Sequence, residues 1–222
     1  MCLRGGLRAF EILPAAAYSG RMLNTSVELP LFPLRTVLFP DGVLPLRIFE
    51  PRYVDMISRC MREQSGFGVV LIRQGAEARR DRSDDQPECF DVGTEARVVD
   101  FNQADNGLLG IVVRGGRKFR VVATREQADH LLIGEVQYLP EEMAGELLTE
   151  HEPLVSMLKE LAEHPLVQKL DLQMDFEEAR SVSLRLAELL PIEPEIKQAL
   201  LQIRWPKERL TELARIVRKF QG

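Results

Sequence analysis

Residues 29–53, LPLFPLRTVLFPDGVLPLRIFEPRY, carry five prolines inside an otherwise apolar run, and that pattern excludes a helix. Each proline fixes its own φ, lacks an N–H and pushes the residue before it toward extended geometry. Leu29, Phe32, Phe39 and Leu44 are therefore all biased away from helix. The segment is expected to zigzag through short strands. Pro40-Asp41-Gly42 has turn chemistry and separates an apolar arm, Val37 to Phe39, from an alternating strand, Val43 to Phe49. Pro51 suits the first turn of a helix, with Glu50 just before it, and Tyr53, Ile57, Cys60 and Met61 then fall on one helical face. That helix is expected to end near Ser65-Gly66, with a short buried strand from Phe67 to Ile72 after it.

From Gly66 to Leu139 the chain reads as sheet. Gly75 to Pro87, GAEARRDRSDDQP, is charged with both signs and has no apolar period, as a solvated loop would be. Strands resume near Cys89. Asp105-Asn106-Gly107 separates Ala96 to Phe101 from Leu108 to Val113, and Asn-Gly supplies the positive φ values of a tight hairpin. Gly115-Gly116 is expected to turn the chain again before Lys118 to Ala123, and Leu131 to Leu139 adds a last arm. Short strands joined by hairpins, with one early helix, predict a small antiparallel barrel over residues 26–139.

After Pro140 the period changes to helical, so a boundary is expected there and a helical bundle over 140–222. Met143, Leu147, Leu154, Leu158 and Leu161 keep one face, with Pro153 expected to kink or split the segment. Asp175 with Glu178 resembles a capping box before Ala179, Val182, Leu186 and Leu189. Pro194 and Pro206 open two further helices, carrying Ile196, Leu200 and Ile203, then Leu210, Leu213, Val217 and Phe220. The fold class is thus α+β, and the apolar stripes are core in the first instance.

Composition narrows the function. A chain of 222 residues with 45% hydrophobic content can bury a sizeable core, and a formal net charge of −5 draws it neither to nucleic acid nor to an anionic membrane. Cys2, Cys60 and Cys89 are odd in number and widely spaced, so neither zinc nor another metal is expected, and a reducing cytoplasm fits. No apolar run approaches the roughly 20 residues that span a bilayer. The opening stretch has arginines and a small-residue end, but Glu11 and Pro14 interrupt any signal-like core. A flexible extension over residues 1–25, or a true start at Met22, is the expectation.

Nucleotide and peptidase chemistry lack their motifs. None of the six lysines follows a glycine and precedes Ser or Thr, so no P-loop is present. His130, His151 and His164 form no HExxH pair, and there is no GxSxG elbow. No cofactor is implied.

The proline-broken opening, FGVVLI at Phe67 to Ile72, VGTEARV at Val92 to Val98 and GRKFRV at Gly116 to Val121 occur in an order that resembles the N-terminal substrate-recognition domain of Lon proteases. KQALLQ at Lys197 to Gln202 and ERLTELARIV at Glu208 to Val217 resemble its helical end, so the resemblance spans about Val27 to Lys219. Lys118 stands where the family pattern usually has arginine. The resemblance implies a PUA-like β-barrel with a C-terminal helical bundle, engaging unfolded or client polypeptides without catalysis. The sequence stops before an ATPase or peptidase segment, which suggests a stand-alone module and delivery of clients to a separate protease.

Five residues of the opening motif are candidates for client binding: Phe32, Phe39, Arg47, Glu50 and Arg52. The two rings could instead plug the barrel. Arg47 could simply face solvent by alternation, with Glu50 and Arg52 tying the strand end to the helix start. An RNA-binding reading rests on Arg114, Arg117, Lys118, Arg120 and Arg125, a locally basic segment. The acidic whole-chain balance opposes it, as does Phe119, which alternates away from its basic neighbours.

Overall fold

A computed structural model of the chain describes residues 26–77, 86–103 and 109–221. The extension expected over 1–25 and the Asp105-Asn106-Gly107 turn lie outside the described residues, as does most of the charged loop after Gly75.

Six strands form one sheet: β1 (Val27–Leu34), β2 (Val43–Ile48), β3 (Phe67–Gln74), β4 (Glu88–Gln103), β5 (Leu109–Glu126) and β6 (Leu132–Tyr138). Their order is β2-β5-β4-β3-β1-β6, and β5 also pairs with β6. That extra pairing closes five strands into a ring and leaves β2 as an edge strand on β5. All pairings are antiparallel except β1 with β3, which run parallel. A parallel pair needs a crossover, and here β2 and helix α1 (Pro51–Glu63) supply it. Pro51 sits in the first turn of α1, and Gln64 closes its end in the left-handed conformation. Its buried face is Arg52, Tyr53, Met56, Ile57 and Cys60; Met61, expected there, is exposed.

Gly115-Gly116 makes no turn. β5 runs through both glycines, and the Gly115 N–H donates to Gly42 O (2.8 Å) while its carbonyl accepts from Asp41 N (2.9 Å). A Cβ on Gly115 would lie 2.0 Å from Phe39 O, so this glycine permits close approach of two backbones rather than a reversal.

The C-terminal half holds α2 (Glu152–Ala162), the short α3 (Pro165–Gln168), α4 (Ala179–Leu189), α5 (Pro194–Gln202) and α6 (Pro206–Gln221). Residues 139–148, which join β6 to a 3-10 turn at Thr149–His151, form a non-helical strap. The helix expected to pass through Met143 and Leu147 therefore begins only at Glu152. Pro153 lies in its first turn, where the missing N–H has no helical partner to lose. Glu178, not Asp175, caps α4: its carboxylate accepts from Arg180 N (2.6 Å) and Ser181 N (2.7 Å).

Burial does not respect the change from strand to helix near Pro140. One cluster packs α1 onto the sheet, with Phe32, Tyr53, Ile57 and Phe67. A small second one is drawn from strands alone, around Leu31, Phe119 and Val136. The largest joins the helices, through Leu158, Val182, Leu186 and Leu213, to Val37, Phe39, Leu71 and Val92 of the strand half. Barrel and bundle share that core.

Candidate functional site

The site is assembled where the Pro40-Asp41-Gly42 turn, β5, the strap and α4 meet. Gly42 N donates to Phe39 O (3.0 Å), closing the turn, and Asp41 takes a positive φ within it. α4 grips the outside of this turn. Arg185 donates to the carbonyls of Pro40 and Asp41, and it pairs with Glu188 at 2.9 Å. Glu188 accepts from Val43 N (3.1 Å), and Arg180 pairs with Asp41 at 3.0 Å. Burial raises the Glu188 carboxyl above its ordinary range, against the opposing pull of Arg185.

A second polar cluster locks the strap. Glu142 Oε1 accepts from Lys118 of β5 and from Arg209 of α6, each at 2.5 Å. Lys118 Nζ also donates to Leu201 O (2.8 Å) and Ile203 O (3.2 Å). Arg209 reaches Leu200 O, Ile203 O and Ser183 Oγ. Burial lowers the Lys118 ammonium from its ordinary value, partly offset by Glu142. Burial alone would raise the Glu142 carboxyl, but the hydrogen bonds and charges of Arg209 and Lys118 outweigh it and hold it below the usual carboxylate range. Farther along the strap, Gly145 N donates to Glu178 Oε1 (3.0 Å), and Gly145 O accepts from Ala179 N (2.8 Å).

Between these two clusters lies a cleft of about 510 Å³, walled by Pro40 and Asp41, Gly116 to Lys118, Leu139 to Glu142, Ala144, and Glu178 with Arg180. It is a mixed polar and apolar groove at the junction of barrel and bundle.

The residues first singled out from the sequence lie elsewhere. Phe32 stacks on Tyr53 with ring centroids 4.1 Å apart beneath α1, and Phe39 is wholly buried among the helices. Neither ring reaches the surface of this fold, so both act as core. Arg52 is also buried. It bonds Glu50, donates to His130 O (2.8 Å) and lies over the Tyr53 ring, while Glu50 precedes α1 as its cap residue. Arg47 alone of the five is exposed, on the edge strand. Val43 spends its N–H on Glu188, so by ladder alternation Pro45 and Arg47 also turn their backbone to the open edge. Proline there offers no N–H and the arginine adds charge, both of which blunt strand addition.

The basic segment is largely engaged. Lys118 is buried on Glu142, Arg125 pairs with Glu28 (2.9 Å), Arg120 lies 3.9 Å from Asp91 and Arg117 covers the Tyr138 ring. Lys118 and Phe119 are both buried, because the bundle covers one face of β5 and the barrel the other. Alternation therefore separates them without exposing either.

Sequence reading missed Glu142, Arg185 and Arg209. A signal existed for two: Arg185 falls three residues from Val182 on the apolar stripe of α4, and Arg209 four before Leu213. Glu142, in the run EEM, carries no mark of burial.

Several known proteins are similar to this chain. The crystal structure of a Lon N-terminal domain protein from Xanthomonas campestris is similar over 85% of this chain and 97% of that one, with a TM-score of 0.68 and 36% identity. The Lon protease of Bacillus thuringiensis (strain Al Hakam) is 27% identical over 217 residues, 92% of this chain and 26% of that protein. Lon protease 2 of Myxococcus xanthus is 34% identical over 104 residues, 46% of this chain and 12% of that protein. The chain thus spans only a minor part of the length of these two proteases. The family model described as the ATP-dependent protease La (LON) substrate-binding domain matches residues 28–219, across strands, strap and helices alike. On that match the chain belongs to the LON substrate-binding domain family.

Proposed function

We propose that the protein binds unfolded or extended segments of client polypeptides and performs no chemistry on them, serving recognition for a separate protease. The observation that carries this reading is the substrate-binding family match across both barrel and bundle. The blunted edge of β2 and the burial of Phe32 and Phe39 support a client site in a groove, rather than on an added strand or an aromatic patch. Cys60 and Cys89 are free thiols, which suits the reducing cytoplasm in which we place the protein.

The test is direct binding of the purified chain to reduced, carboxymethylated lactalbumin, a permanently unfolded protein, with native lactalbumin and a single-stranded RNA alongside. Binding to the unfolded form alone, little changed by salt, is expected. Absence of that binding overturns the proposal. So does RNA binding that weakens steeply as salt rises, the mark of phosphate contacts.

A further inference from the structure

One stretch of the five-strand ring is open along its backbone. β1 pairs with β6 from Val27 to Leu31, but with β3 only from Leu31 to Leu34. Residues 27–30 therefore have a ladder on one side and no strand on the other. The prolines of β1 show which main-chain groups face that gap. Residues of a strand turn their N–H and C=O alternately to its two sides, and a proline disturbs no ladder only where its nitrogen points away from a paired strand. With Pro30 turned to the gap, Pro33 turns to the other side, past the end of the β6 pairing, and neither forfeits a bond. The opposite assignment forfeits one to β6 at Pro30 and one to β3 at Pro33. The gap thus receives the Glu28 N–H and the carbonyls of Glu28 and Pro30.

A groove of about 470 Å³ lies along this edge, lined by Val27 to Pro30, by the last turns of α1 and by Ser65-Gly66. Val27 and Glu28 are exposed, so the edge is open to solvent. The charges of the groove are balanced within it. Glu28 pairs with Arg125 and Glu95 with Arg97, while Arg59 and Glu63 carry opposite signs one helical turn apart. No net charge selects an ionic ligand. What the edge presents is one donor and two acceptors at strand spacing, and the main chain of an extended peptide matches them. One of its residues exchanges both bonds with Glu28, and another two positions away donates to Pro30 O.

We infer that the groove beside residues 27–30 takes an extended polypeptide segment, which pairs its main chain with Glu28 and Pro30 over a few residues. Such pairing reads backbone and not side chains, which suits a partner drawn from many sequences. The inference rests on the polypeptide-binding function proposed above and gives it a place. Unlike the edge of β2, this one lies inside a groove beside α1, where only a short segment fits.

The test uses the full chain and the carboxymethylated lactalbumin probe. Glu28→Pro removes the one donor of the edge, and Glu28→Ala removes the same carboxylate while keeping the N–H. Binding by Glu28→Ala is expected to match the unmodified chain. Binding by Glu28→Pro should weaken about tenfold, the upper end for one hydrogen bond, because the ring also intrudes on the slot. In the unmodified chain the Glu28 amide should exchange quickly alone and slowly with the probe bound. A photo-crosslinking residue at exposed Glu63 in the groove should capture the probe, and one at exposed Leu166 on α3 should not. Circular dichroism first establishes that each variant is folded. Should Glu28→Pro not fold, amide exchange and the crosslinks decide alone. Equal affinity of the two variants, or probe binding that leaves Glu28 unprotected, overturns the groove assignment while leaving polypeptide binding intact. Protection of Glu28 that grows with the concentration of the chain alone assigns the groove to a second copy and overturns it too. No binding by the unmodified chain overturns both readings.

Discussion

Lys118 of β5 and Glu142 of the strap form an ion pair of 2.5 Å in which the side chains are 6% and 3% exposed. Arg209 of α6 completes it, so one carboxylate ties the barrel, the strap and the last helix together. Removing one member of such a pair leaves uncompensated charge in a nearly buried site, which costs more than the pair contributes over an apolar replacement.

Glu142→Ala is accordingly expected to lower stability by about 3 to 5 kcal/mol. Urea unfolding of the variant against the unmodified chain measures it, with a fall in midpoint and little change in slope. A loss below about 0.5 kcal/mol would show that the backbone carbonyls around Lys118 and Arg209 suffice without the carboxylate.

The same carboxylate has a pH signature. Its folded-state pKa lies below the ordinary 4.5, so its contribution is fully present above that value and lost as pH falls through the lower, folded one. Stability of the unmodified chain relative to Glu142→Gln should therefore be pH-independent near neutrality and shrink below about pH 4.5. Glu188 shifts in the opposite sense, so only the difference between the two proteins isolates Glu142.

Arg185 binds two carbonyls of the 40–42 turn and Glu188 from a nearly buried position. Arg185→Ala leaves those acceptors bare and should cost about 3 kcal/mol, more than an exposed surface change. Amide exchange at Gly42 and Val43 should accelerate with it, because the turn loses its clamp. Exchange that accelerates evenly across the whole chain would argue against a local clamp.

Gly115→Ala introduces a methyl 2.0 Å from Phe39 O and 3.0 Å from Phe39 C, backbone atoms that cannot swing aside. A loss of about 1 to 3 kcal/mol is expected, whereas the turn first expected there would tolerate alanine only through its φ. Thermal unfolding distinguishes the two when Gly116→Ala, with ordinary contact distances of 3.6 Å and beyond, is measured beside it.

Phe32→Ala should destabilise by about 3 to 5 kcal/mol because it empties the space against Tyr53 and Phe67. Arg47→Ser should change stability by less than about 0.5 kcal/mol. Client binding by Arg47→Ser, measured with the unfolded probe, tests the one exposed residue of the original five directly.

Much of the strand half was legible because its signals are local. Proline spacing, the Pro40-Asp41-Gly42 turn and the apolar run Phe67 to Ile72 each act within a few residues, and the structure puts a turn or strand at each. The errors have different causes. Gly115-Gly116 carries a local turn signal that a partner distant in sequence, Phe39 O, overrode, whereas Pro153 and Asp175 misled by position alone, since Pro153 fits the first turn of α2 and Glu178 caps α4 three residues after Asp175. The sequence could not separate buried Phe32, Phe39 and Arg52 from exposed Arg47. Apolar and charged side chains next to prolines look alike whether they line a groove or close a core.

The sequence by itself determined where backbone geometry is constrained, since proline and glycine limit φ without reference to anything far away. It also determined, through helical period, which faces of the C-terminal half must be covered. Only the tertiary structure decided what covers them. The sheet closes by pairing β5 with β6, and α4 reaches back to hold the 40–43 turn. Glu142 becomes buried because β5, the strap and α6 converge on it. Burial of a charge is a property of three segments at once, and no window of one segment contains it.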